Sequence, residues 1–224
     1  PVVRALLIQP PCAELLALGP LLRGQLALIL PLMLGAQRAS ALLTNQFIAR
    51  AVGRQPLAID LNAITGAAIR NGTEPRDVYR RPLVSVWSDM KNGKLWEDAV
   101  HAGGERVTIA AQTDIQLTMR TALREIGRAD DRIVGFKRVP DGDACEFCRL
   151  IAGRRYLKSD LMPVHPRCGC GVDVITQANR GDFTGKAEND LDLPAGVTVR
   201  EHGELGPTLV HPDHDFTGPG ALAA

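Results

Sequence analysis

The sequence predicts a mainly α protein with a small α+β module: a helical N-terminal region, a short-stranded module around a Cys/His knuckle, and an irregular acidic tail. Three observations predict it. Hydrophobic residues make up 45% of the 224-residue chain and aromatics only 4%, so Leu, Ile, Val and Ala must build the core, which favours packed helices over a β-sandwich. Apolar residues recur at mixed spacings, many of three or four residues, from Ala13 to about Ile126. After Gly127 the texture changes to short alternating runs, and four of the five cysteines fall between Cys145 and Cys170. The boundaries drawn from these changes are 1–128 (helical region), 129–178 (α+β module) and 179–224 (Gly/Pro-rich acidic tail).

The elements follow in order. Residues 1–12, with Pro10-Pro11, read as irregular. From Ala13 to about Val52 the pattern is helical; Gly19-Pro20 predicts a short helix before a long one, and Pro31 a kink or break. Asp60 can cap a short helix ending at Asn71-Gly72. Thr73 can cap the next, with Pro75 in its first turn and Pro82 inside it, running to about Met90. Beyond Asn92-Gly93, a helix over Leu95–Ala102 is expected to stop at Gly103-Gly104, before a longer one over Glu105–Ile126. Trp87 and Trp96 fall on these helices and read as core. Arg132–Arg138 alternates as a strand does, and Arg155–Lys158 and Gly171–Ile175 are two further strands.

Charge is uneven although the net value is only +1. Residues 182–224 hold eight acids against Lys186 and Arg200, so the body is basic and the tail acidic, a distribution that suits acidic partner surfaces or polyanions as well as an ordinary solvated surface. The longest apolar run, Leu26–Ala36, is interrupted by Pro31 and is short of the roughly 20 residues a membrane span needs, so no span is expected. No basic cluster precedes the apolar N-terminal stretch, so synthesis in the cytosol is expected.

The cysteines carry the chemistry. Cys145-x-x-Cys148 is followed by His165-x-x-Cys168-x-Cys170. A Cys-x-x-Cys knuckle lets two thiolates grip one tetrahedral ion, and a second pair about 15–20 residues later closes the shell. Four of Cys145, Cys148, His165, Cys168 and Cys170 are therefore candidate ligands of a structural zinc, with the choice between Cys168 and Cys170 open. Such a site would staple strands too short to hold themselves together. Two disulfides are the alternative, opposed by a cytosolic compartment. A redox Cys-x-x-Cys lacks its βαβ context. Asp143 and Glu146 are turn residues and poor general bases, and Cys12 stands alone. Of the four serines (Ser40, Ser85, Ser88, Ser159) none lies in a nucleophile motif, and no catalytic constellation is found.

Taken in order, Gly135–Val139, Cys145-x-x-Cys148, Ala152-Gly-Arg-Arg-Tyr156 and His165-Pro-Arg-Cys168-x-Cys170 resemble the MuF-like domain of phage head morphogenesis proteins, the actinobacteriophage type above all. The resemblance covers about 110–175 and extends to Glu201–Pro207 in some relatives. It implies a minor capsid protein, made in the host cytoplasm and retained inside the virion head. Such a protein associates with the portal protein, and with major capsid or scaffolding protein. It assists assembly, DNA packaging or ejection without being an enzyme, and does not involve a membrane. The apolar stretch over 13–36 is the natural docking surface. The alternative is a zinc-knuckle nucleic-acid-binding protein acting outside the capsid.

Arg120, Arg124 and Arg128 recur every four residues, on roughly one helix face, and with Arg132, Lys137 and Arg138 form a stripe that could meet phosphates of packaged duplex DNA without reading sequence. An ordinary solvated face is the competing expectation. His202, Glu204, His211, Asp213, His214 and Asp215 match no metal-site spacing and are expected to belong to a solvated tail.

Overall fold

The computed structural model describes residues 12–142, 144, 146–165, 168–183 and 196–212, with side chains from residue 24 onward except those of Glu146 and Phe147. About half of the chain is helical, and a small antiparallel sheet module follows. Helix α1 runs from Cys12 to Ala51 without interruption, so neither Gly19-Pro20 nor Pro31 ends it. A proline removes one backbone donor, and a helix of 40 residues tolerates that loss where the flanking turns remain bonded.

Two 3₁₀ turns follow, Leu61–Ile64 and Gly66–Arg70, in place of the expected short α-helix. Asp60 caps the first by accepting from the Asn62 amide, and Asn71 ends the second in the left-handed region. Helix α2 (Pro75–Lys91) has Glu74 rather than Thr73 at its cap position, because Pro75 takes the first helical place. Helix α3 (Trp96–Ala129) runs straight through Gly103-Gly104, against the expected break. Gly103 is where α2 and α3 touch: a Cβ there would collide with the Val86 side chain. The glycine serves close packing rather than termination.

The helices wrap a core of Ala41 and Ile48 from α1, Ile64, and Ala122, Leu123 and Ile126 from α3. The same cluster takes in Ile133, Phe136 and Val174 from the sheet, so the module shares its core with the helices. A second cluster joins Leu26 of α1 to Val78 and Tyr79 of α2 at the far end of the bundle. Between them lies a buried polar junction. The Asp114 carboxylate accepts from Gln37 Nε2 at 3.2 Å, Arg70 Nε at 2.6 Å and Tyr79 Oη at 2.8 Å, while Gln37 Oε1 accepts from the Gly66 amide. One carboxylate thus gathers α1, α2, α3 and a 3₁₀ turn. The buried stripe of α3 is therefore partly polar (Thr113, Asp114, Thr118, Arg120), which apolar periodicity alone does not foresee. Trp96 is 59% exposed and Trp87 half-buried, so neither is a core residue as expected.

Strand β1 (Ile133–Val139) is the middle of a three-stranded antiparallel sheet, flanked by β2 (Arg155–Leu157) and β3 (Gly171–Thr176). A register irregularity lies between Ile133 and Gly135. The short helix α4 (Glu146–Leu150) lies between β1 and β2.

The tail is not irregular throughout. Thr198–His202 (β4) and Gly206–Val210 (β5) form an antiparallel hairpin. Leu205 packs with Ile69, Leu117 and Val164, and Leu209 with Ile151 and Val197. Each buried aliphatic side chain contributes about 1.5–3 kcal/mol, enough in combination to hold a hairpin that has no stability alone. Glu204 adds ion pairs to Arg81 at 2.5 Å and to Arg70 at 3.4 Å. The turn residues Gly203, Gly206 and Pro207 concealed two five-residue strands. His202 and Glu204 accordingly belong to the hairpin, with His202 Nδ1 accepting from the Glu204 and Leu205 amides. Asp213, His214 and Asp215 lie outside the described residues.

The segment Gly24–Ala51 of α1 is, by length and composition, long and apolar enough to cross a membrane, although no span was expected from the Leu26–Ala36 run. It carries only two charges, Arg38 and Arg50, and the helix continues beyond Ala36 through both of them.

Candidate metal centre

Four of the five candidate ligands lie among the described residues, and they come from three places in the fold. Cys148 is on α4, His165 is on the connection after β2, and Cys168 and Cys170 lie just before β3. The Sγ atoms of Cys148, Cys168 and Cys170 all lie within 4.8 Å of one another, and all three residues are buried. His165 is 2% exposed and sets its Nε2 2.9 Å from Cys148 Sγ. Three buried cysteines this close could form a metal site, and both Cys168 and Cys170 are in the group. Cys145 lies outside the described residues, as does Asp143, and the side chains of Cys12 and Glu146 lie outside them too.

Main-chain bonds hold the candidates that lie between β2 and β3. The Cys168 amide donates to the His165 carbonyl at 3.1 Å, which closes a turn between the two side chains. Cys170 immediately precedes β3, whose first residue, Gly171, pairs with Val139 of β1. Val164 forms a parallel bridge to Thr208 of β5, with its amide on the Pro207 carbonyl at 3.3 Å and its carbonyl accepting from the Leu209 amide at 2.9 Å. The hairpin thereby fixes the residue before His165.

Electrostatics single out one thiol. Hydrogen bonds with Cys148 and then Cys170 pull Cys168 well below the usual thiol range, with Arg138 and His165 adding to the effect. Hydrogen bonds with Cys168 and Cys170, then burial, push Cys148 up. Cys170 is also raised: the hydrogen bond with Cys148 pulls it down, but its bond with Cys168 and its burial prevail. Cys168 is the thiol of the group that is shifted downward, and its Sγ lies 3.6 Å from Arg138 Nη1.

Arg138 is fully buried. Its Nε donates to Tyr156 Oη at 3.2 Å, its Nη2 to the Pro163 carbonyl, and its guanidinium lies over the Tyr156 ring at 5.4 Å. Burial by itself would lower its pKa, but Tyr156, Cys168 and Cys170 outweigh that and hold it above the ordinary arginine value. This residue was expected in an exposed basic stripe. The signal that places it inside is strand parity: on β1 it shares a face with Phe136, a core residue.

The remaining stripe divides. Arg120 is 2% exposed and donates to the carbonyls of Leu205, Pro207 and Met162, so it holds the hairpin and does not face solvent. Burial, then Arg124, pulls its guanidinium down to about 9, which leaves it charged at neutral pH. Arg124 and Arg128 pair with Glu125 at 3.1 and 3.5 Å, and Arg128 also donates to the Ser159 carbonyl. The structure puts other cations together. Lys137, Arg155 and Arg180, with Asn179 and Asp182, line an open cleft of about 430 Å³ on the outer face of the sheet. Arg155 is pinned there by Asp182 at 2.5 Å and by the Phe183 ring at 5.3 Å.

Fold and site together define a mainly helical protein that carries a buried thiol–imidazole cluster on a small sheet module. A family model described as VG15 protein matches residues 74–189, from the start of α2 to beyond β3. The match spans just over half of the chain, and the chain belongs to the VG15 protein family. Membership of this viral gene family supports a phage-encoded protein. No curated protein and no solved structure shows significant similarity to the chain.

Proposed function

We propose that this chain is a minor head protein of a tailed phage, of the MuF-like kind, in which the Cys/His cluster holds a structural zinc. The observation that carries it is the match of residues 74–189 to a viral gene family, over the stretch that contains the ordered Cys/His motif. The donor set fits zinc: thiolates with an imidazole make a closed tetrahedral shell, which leaves no place for a reacting water. The zinc's role is to tie α4, the His165 turn and the start of β3 together, where apolar burial is small. Among the described residues, the cluster's own buried group is Ala144 and the three cysteines.

The docking surface is the outer face of α1. Leu28 and Leu32 are each 72% exposed, and Leu42, Leu43 and Phe47 continue the same side of the helix. A contiguous apolar strip of this kind marks an interaction surface. The opposite side of α1 is committed to the protein interior, since Gln37 binds Asp114 and Asn45 binds the Leu57 backbone in both directions. That commitment favours docking against a protein partner, the portal ring, over insertion in a bilayer.

The test is quantitative mass spectrometry of purified particles, filled and after ejection. A few copies per filled head are expected, and absence from particles would sink the reading. Leu28→Glu combined with Leu32→Glu is expected to lower incorporation at least tenfold while leaving the thermal unfolding curve of the isolated protein unchanged, because neither side chain is in the core. Normal incorporation of that variant would remove α1 as the docking face.

A further inference from the structure

We propose that Arg138 balances the charge of the metal centre and thereby specifies a shell of three thiolates and His165 around a divalent ion. The inference rests on the reading of the cluster as a metal site. Arginine keeps its charge under all ordinary conditions. A buried charge costs several kcal/mol unless a partner of opposite sign is beside it. Arg138 is fully buried, and among the described residues no carboxylate pairs with it. Its Pro163 acceptor is a backbone carbonyl and its Tyr156 acceptor a hydroxyl, and it reaches the thiol cluster through Cys168 Sγ at 3.6 Å.

Charge then selects the ligands. A divalent ion with three thiolates and a neutral imidazole carries one negative charge, which one guanidinium cancels. Four thiolates would carry two, one more than Arg138 cancels; Arg154, whose guanidinium also lies over the Tyr156 ring at 5.8 Å, is only half-buried, where solvent screens its charge. Among the described residues, Cys148, Cys168 and Cys170 lie within 4.8 Å of one another, and His165 joins them through Cys148 at 2.9 Å. An N–H donor on a metal-bound sulfur also fixes the orientation of that ligand, as outer-shell partners do in metal sites generally. Arg138 is well placed for this because its main chain is locked too: its amide and carbonyl bond to Arg154 and Gly153 at 2.7 and 3.0 Å.

The experiment uses the full chain loaded with zinc or cobalt(II). In the wild-type protein the intensity of the thiolate-to-cobalt charge-transfer band counts the sulfur ligands, and three are expected; a count of four overturns the proposal. Zinc affinity is then measured by competition with a chromophoric chelator. Arg138→Met is expected to weaken binding by about 10–100-fold, and Arg138→Lys, which keeps the charge, to recover most of that loss. Far-UV circular dichroism of each variant reports whether the helices remain folded. Arg138→Met binding zinc within twofold of wild type, or Arg138→Lys failing as badly as Arg138→Met, overturns the charge argument while the metal site stands. A wild-type chain that takes up neither ion stoichiometrically overturns both.

Discussion

Asp130 stands at the joint between α3 and β1, and its carboxylate is shared by two arginines. Arg132 donates through its amide, Nε and Nη2, each at 3.0 Å, and Arg54, just beyond α1, through Nε at 2.6 Å. The Arg132 hydrogen bond, then that of Arg54, holds the Asp130 pKa well below the usual carboxylate range. Glu204 is lowered in the same direction, chiefly by its hydrogen bond from Arg81. The ionised form is therefore favoured by folding. Its stabilisation is fully present above the unfolded pKa of about 4 and is lost as pH falls toward the folded value. Asp130→Asn is expected to cost about 1.5–3 kcal/mol at pH 7 and to flatten the acid side of a urea-midpoint-against-pH curve; an unchanged acid limb would show that the joint contributes nothing. At this scale the metal-ligand candidates were legible, because Cys-x-x-Cys and His-x-x-Cys-x-Cys constrain each other by spacing. Arg138 and Asp114 were not, since each is a charge on a buried face whose partners come from distant segments.

Neighbouring glycines in α3 behave oppositely, and sequence alone treats them alike. Gly103 has no room for a Cβ because Val86 of α2 fills the space, whereas nothing lies within 4 Å of the Cβ position of Gly104. Gly103→Ala is expected to destabilise by about 1–3 kcal/mol through overpacking, since the β-branched Val86 has one preferred rotamer in a helix. Gly104→Ala is expected to stabilise by about 0.5–1 kcal/mol, the ordinary helix-propensity gain. Denaturant titration of the two variants checks the pair, and shifts of the same sign would refute the packing explanation for Gly103. Helix existence and the three central strands could be read from periodicity, because 3.6- and 2-residue repeats survive without knowledge of neighbours. The glycine doublet misled because its meaning lies on another helix. The β4–β5 hairpin misled because its apolar residues are few and its turn residues many.

For the whole molecule, the sheet has one side in the helical core and one end at the candidate metal site. Ile133, Phe136 and Val174 belong to the same cluster as Ile48 and Leu123. Chelation is therefore expected to release α4 and the 162–170 segment first. The β1–β3 ladder should keep most of its protection in hydrogen exchange. Simultaneous loss of protection in α4 and in the ladder would mean that metal and sheet form one cooperative unit. Placing a charge at the fully buried Leu209, as in Leu209→Asp, should undock the hairpin and accelerate metal loss to a chelator by at least tenfold, although Leu209 packs with Ile151 and Val197 rather than in the cysteine cluster. An unchanged release rate would disconnect the hairpin from the site. The acidic composition of residues 182–224 was legible, but not that Glu204 spends its charge on Arg70 and Arg81 inside the fold.

The Val164–Thr208 bridge also sets an order in time. A ribosome adds about 5–20 residues per second, so His165 emerges several seconds before the strand that will clamp its neighbour. During that interval the nascent chain presents its thiols on an unfinished scaffold, open to exchange with cellular chelators and oxidants. An ion held by the cluster would be clamped only once Thr208 has left the ribosome. A chain that stops short of Thr208 would therefore leave the residue before His165 without its clamp and the cysteine cluster unfinished.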